Sequence, residues 1–148
     1  MNKKMLAIIG SYAVIMGLLL ILTFSFQWNP SGYDYTIGDQ SLTVEKGWIS
    51  PDENTINVEG KQAEMLQFLL ALSVEREHWR QDVTVIGLLL PFVLFLFYKQ
   101  RRPFKNQVSY SWYVTIILAI TALYAAYSTS GHLKEIEDIR SQLQQLLA

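Results

Sequence analysis

Apolar residues along this chain fall in long blocks separated by turn-rich and charged stretches, and not at the regular spacing of a soluble core. Leu6 to Phe26 carries no charged side chain. As a helix that stretch is about 31 Å long, enough to cross a hydrocarbon layer of roughly 30 Å. The basic start Asn2-Lys3-Lys4 also suits a secretory signal, but the apolar run is too long and Leu22-Thr23-Phe24-Ser25-Phe26 offers no small-residue cleavage site. An uncleaved anchor is the expectation. A second uncharged block, Val83 to Tyr98, makes about 24 Å of helix and spans only if Trp79 to Asp82 sit at headgroup level. Pro91 near its middle predicts a bend whose freed carbonyl is satisfied by a neighbouring helix. A third block, Val108 to Tyr127, is framed by Tyr110, Trp112 and Tyr113 at one end and Tyr124 and Tyr127 at the other, the pattern of two interfacial aromatic belts.

Between the first two blocks the period changes. Tyr33-Asp34-Tyr35-Thr36-Ile37, Ser41-Leu42-Thr43-Val44-Glu45 and Thr55-Ile56-Asn57-Val58-Glu59 alternate apolar and polar residues, as half-buried strands do. Gly38-Asp39, Lys46-Gly47 and Ser50-Pro51-Asp52-Glu53-Asn54 punctuate them as turns. An antiparallel meander follows, too small to have much core of its own. Trp48 is its best candidate for contact with the membrane or the next helix. Residues 61–82 read as an amphipathic helix, with Met65, Leu69 and Leu72 joined by Leu66, Phe68 and Leu70 on one side and Glu64, Gln67, Ala71, Glu75, His78 and Asp82 on the other. Nothing separates it from the second span, so either one long helix runs from about Lys61 to Gln100, or the outer part lies flat on the membrane and turns near Trp79.

The expected class is mainly α: three transmembrane helices, a small extracytoplasmic β-meander with an amphipathic helix, and an amphipathic helical tail. The chain divides into an amino-terminal stretch (1–5), spans at 6–26, 83–98 and 108–127, the meander (27–60), the outer helix (61–82), a loop (99–107) and the tail (128–148).

Charge sets the expected orientation. Lys3 and Lys4 precede the first span and Lys99, Arg101, Arg102 and Lys105 fill the 99–107 loop, with no acidic residue in either place. Because basic residues resist translocation, both segments are expected in the cytoplasm, and the acidic segment 27–82 and the carboxyl-terminal tail outside. Arg101, Arg102 and Lys105 also suit contact with anionic lipid. The formal net charge of −1 gives no basis for nucleic-acid binding. There is no cysteine, which removes disulfides, thiolate metal sites and cysteine nucleophiles. A bacterial cytoplasmic membrane is the expected location.

Candidate chemistry is sparse. Neither a P-loop, G-x-S-x-G, H-E-x-x-H nor dinucleotide fingerprint is present. No ionisable residue strong enough to relay protons or bind ions lies within the spans, which disfavours a stand-alone transporter, pump or intramembrane protease. Glu75 with His78, and His132 with Glu135 in reverse order, each place a carboxylate and an imidazole three residues apart, the spacing by which helical bundles converge on a metal. Carboxylate-rich helices also produce such spacings by chance, so these four are weak candidates, and neither a catalytic residue nor a cofactor is expected. Two further patterns suggest helix association: Gly10 and Gly17 on the first span, and Thr115, Ala119, Ala122 and Ala126 on the third, small residues that admit close packing within the chain or with a partner helix. The tail, entered through Ser128-Thr129-Ser130-Gly131, carries Ile136, Ile139, Leu143 and Leu146 in a stripe that must be covered, by the outer helix or by another chain.

The functional expectation is a non-enzymatic accessory, assembly or regulatory component of a bacterial membrane complex, with membrane lipid and either another membrane protein or a second copy as partners. The alternatives are a small metal-dependent membrane enzyme, which requires the two histidines to converge, and an immunity or envelope-stress protein.

Overall fold

The computed structural model describes residues 2–148; Met1, part of the expected amino-terminal stretch, lies outside them. Helix accounts for 68% of the chain, which places it in the mainly α class. Three helices are long and apolar enough to cross a membrane. Helix α1, Lys3–Leu20, is capped by the Asn2 side chain, which accepts a hydrogen bond from the Met5 amide at 2.8 Å. It runs on into a π-helical turn, Ile21–Ser25. No residue of α1 is buried, as expected of a segment whose solvent is lipid.

Three antiparallel strands follow in the order β1 (Tyr33–Ile37), β2 (Ser41–Lys46) and β3 (Asp52–Asn57). The meander is therefore present, but its third strand begins earlier than the alternation suggests. Lys46 pairs with Asp52 and Leu42 with Ile56, so Asp52 to Asn54, expected in a turn, belong to β3 and the turn is confined to residues 47–51. The exposed edge strand is held by its pairing and by the cross-strand Thr43–Thr55 hydroxyl contact at 3.1 Å, and needs no apolar alternation there.

Helix α2, Gln62–Leu94, is continuous through Trp79, which decides between the two sequence alternatives in favour of one long helix. Pro91 lies in its last turn and cannot bond the Gly87 carbonyl. The phenol of Tyr12 on α1 donates to that oxygen instead, at 3.0 Å, and Gly87 lets α1 approach closely, since a Cβ there would stand 3.1 Å from Met16 Cε. Near the end of α2, Tyr113 and Tyr110 donate to the carbonyls of Phe92 (2.7 Å) and Leu96 (2.8 Å), so two supposed belt residues satisfy the freed end of a neighbouring helix. In the connecting loop Arg102 is buried, its guanidinium donating to the carbonyls of Lys99 and Val108, which leaves Lys99, Arg101 and Lys105 as the exposed basic residues.

Helix α3, Tyr110–Leu147, starts at the Ser109 cap. It runs unbroken through Ser128-Thr129-Ser130-Gly131, so the expected joint before the tail is absent. The reason is tertiary: α3 lies along α2 over this whole length, and packing outweighs the roughly 1 kcal/mol that a mid-helix glycine costs. At the sheet end, Phe68 and Leu72 of α2, Ile139 and Leu146 of α3, and Tyr33, Leu42, Val44, Ile56 and Val58 of the sheet form one buried core, with Leu143 against it. The tail stripe packs against the chain's own sheet and α2, and Ile136 is half-buried. The amino group of Lys61 ties the tail down, donating to the carbonyls of Leu146 (2.9 Å) and Ala148 (3.0 Å).

The small-residue stripes do not pack within the chain. Gly10 and Gly17 have open space beyond them, and Thr115, Ala119, Ala122 and Ala126 are all exposed. Where helices do touch closely, Gly87 and Gly131 provide the room instead.

Candidate metal centre

Of the side of α2 read from sequence as the more polar one, the stretch from Glu75 to Asp82 faces inward while Gln67 stays exposed. Glu75 is fully buried and Asp82 nearly so. Phe68, Leu72, Glu75 and Asp82 succeed one another on the seam that faces the sheet and α3, a seam apolar near the sheet and ionisable nearer the spans.

The four weak candidates converge there, and the reason lies in their reversed order on antiparallel helices. On α2 glutamate precedes histidine by three residues; on α3 histidine precedes glutamate by three. Running the helices past each other in opposite directions puts the two histidines at one level and the two glutamates about 4.5 Å, three residues of rise, nearer the sheet. The imidazoles of His78 and His132 stack with centroids 3.9 Å apart and planes 5° from parallel. Each histidine meets the other helix's glutamate: His132 Nδ1 lies 2.7 Å from Glu75 Oε1 and His78 Nδ1 lies 2.9 Å from Glu135 Oε2. One ligand atom from each of the four residues lies within 4.8 Å of the other three.

Asp82 closes the cluster on the other side. Its Oδ2 contacts His132 Nε2, and its Oδ1 lies 3.7 Å from His78 Nε2. Tyr124 donates to Oδ1 at 2.6 Å and Ser128 to Oδ2 at 2.7 Å, which fixes the carboxylate. Both Nδ1 atoms thus face glutamates while both Nε2 atoms face one anchored aspartate. At His132 the Asp82 carboxylate behind the ring favours the tautomer in which Nε2 carries the proton and the Nδ1 lone pair points into the cluster, the usual arrangement behind metal-ligating histidines; at His78 the same carboxylate stands 3.7 Å from Nε2, outside hydrogen-bonding distance. Gly131 completes the fit: a Cβ there would stand 2.8 Å from His78 Cε1, so only glycine leaves the ring its place.

Glu75 shows what the cluster lacks. Its Oε2 is buried without any hydrogen-bond partner. Burial first, and then the Glu135 and Asp82 carboxylates, push its acid up to about 9, so it holds a proton at neutral pH. A divalent cation displaces such a proton and satisfies the orphaned oxygen.

The donor set is two imidazole nitrogens and two carboxylate oxygens, which suits a borderline ion of the zinc type better than a hard ion such as calcium or magnesium. Tetrahedral ligation at about 2.0–2.1 Å would place neighbouring donors about 3.3 Å apart, so the Glu75–His132 and Glu135–His78 pairs, at 2.7 and 2.9 Å, would part slightly while the donors now up to 4.8 Å apart would draw in.

Of the surrounding residues, sequence places Tyr124 in an aromatic belt and Ser128 at the entry to the tail. Tyr124, Ser128 and His132 stand at steps of four, so continuing the third helix through Gly131 places all three on one face. Sequence comparison with protein-family models and with curated proteins, and structural comparison with solved structures, gave no match.

Proposed function

We propose that this chain is a membrane protein that binds one divalent transition metal, of the zinc type, where the second and third spans emerge on the sheet side. Glu75, His78, His132 and Glu135 are its ligands, and Asp82 orients the His132 ring. The observation that carries the reading is that both Nδ1 atoms face glutamates and both Nε2 atoms face the same anchored aspartate. A bound zinc-type ion supplies Lewis acidity, and with it the means to activate water or a carbonyl oxygen. The chain's own groups hold the ion, set the His132 tautomer and keep the sheet side of the site dry through the core above it.

Basic residues at the 99–107 loop support an orientation with the sheet, the site and the tail outside the cytoplasm. The test is metal analysis of protein purified in mild detergent, with equilibrium dialysis against zinc. One ion per chain, lost in His78→Ala and His132→Ala while the helical circular dichroism persists, is the expected result. Protein that takes up no zinc after dialysis would overturn the reading.

A second role, as an accessory component of a membrane complex, draws support from the small-residue faces at Gly10 and Gly17 and at Thr115 to Ala126, which stand open. Cross-linking from cysteines placed at Gly10 and Ala122 in native membranes should trap a partner or a second copy. Exclusively monomeric protein would remove that role.

A further inference from the structure

Beyond Asp82, between the spanning parts of α2 and α3, lies a groove of about 480 Å³. Ile86, Leu89 and Val93 form one wall and Thr121 and Ala125 the other, and Asp82, Ser128 and His132 stand at one end. From Val93 to Asp82 it runs along about 16 Å of helix. Its volume is that of a small-ligand site. No residue of α1 lines it, so the chain's remaining span does not fill it.

Three observations identify the occupant. The walls belong to segments long and apolar enough to span a membrane, where the filler at hand is lipid hydrocarbon. The ionisable side chains stand at one end, and the Thr121 hydroxyl further along is turned onto the Ile117 carbonyl of its own helix, so a fitting ligand is an amphiphile with a single chain in the groove. At that end the Asp82 carboxylate lines the groove, with Ser128 and His132 already turned onto it, so a further anion is repelled and a neutral oxygen needs another donor. The Thr129 hydroxyl is there to meet such an oxygen.

We infer that the groove holds one acyl chain of a glycerolipid, with its ester carbonyl at the Asp82–Ser128–His132 end, beside the metal centre. The inference deepens the metal reading and rests on it at the carbonyl end only. It makes an acyl ester, and not a free fatty acid, the ligand class of the site.

The test uses the full chain in phosphatidylcholine nanodiscs doped with phosphatidylcholine carrying a mid-chain diazirine, with photo-adducts mapped by mass spectrometry. Adducts at Leu89, Val93 and Ala125 should exceed, several-fold, those at Leu88 and Leu123, which point outward at 68% and 72% exposure. Ala125→Trp, which fills the groove, should abolish the excess and leave zinc stoichiometry unchanged; Leu89→Trp does the same from the opposite wall if the first variant misfolds. Excess palmitate should leave the labelling in place. Equal labelling of groove and outward positions, an excess that survives both tryptophans, or displacement by palmitate overturns the inference. Groove labelling in a protein that binds no zinc sinks the metal reading and leaves the chain site standing, whereas zinc binding without groove labelling does the reverse.

Discussion

The seam between α2 and α3 has two halves that differ in chemistry and not in geometry. Near the sheet, Phe68, Leu72, Ile139 and Leu146 are fully buried among sheet residues. One to three turns further on, Glu75, His78, Asp82, Ser128, His132 and Glu135 occupy the same seam. Burying apolar side chains contributes stability in proportion to the area removed from water, whereas buried ionisable groups must recover a desolvation cost through their partners and often fail to. The first half therefore holds the helices together, and the second is maintained at some expense to stability. The half that folding alone would have filled with leucine is filled with ionisable side chains, which marks it as the place to look for function.

Breaking the apolar half should have the largest effect. Phe68→Ala or Leu72→Ala is expected to destabilise the sheet–helix core by about 2–5 kcal/mol, read as a lowered midpoint of denaturant unfolding in detergent. In the ionisable half the effects should fall on metal and not on folding. Glu75→Leu should leave the metal-free protein as stable as the parent or more so. The same variant should abolish zinc retention in dialysis. A strongly destabilised Glu75→Leu would contradict the contrast between the halves.

Asp82→Asn should reduce zinc affinity by about 10–100-fold, since it removes the carboxylate behind the His132 ring without touching a ligand. Gly131→Ala separates folding from binding further. It should gain up to about 1 kcal/mol of helix stability without metal while weakening zinc binding, because the added methyl meets the His78 ring. The smallest expected effect concerns pH. With the Glu75 acid raised from 4.5 to about 9, the folded metal-free protein binds more protons than the unfolded one between those values, so its stability should fall as pH rises through that window. Glu75→Gln should flatten this dependence in pH-titrated thermal melts.

The lengths and lack of charge of the three apolar blocks determined that three helices can span a membrane, because hydrocarbon thickness sets a length that any sequence can be measured against. Alternation determined β1 and β2 for the same local reason, and i, i+3 spacing singled out Glu75–His78 and His132–Glu135. Tertiary structure decided the rest. The start of β3 at Asp52 follows from pairing with Lys46, and the fate of Tyr110 and Tyr113 follows from carbonyls on another helix. The continuity of α3 through Gly131 depends on α2 lying beside it. Convergence of the two histidines needed that same antiparallel contact, for spacing along a helix states which residues share a face but not what that face meets. The four weak candidates became one cluster, with Asp82, Tyr124 and Ser128 behind it, only when two reversed motifs were brought to the same height by a chain that doubles back on itself.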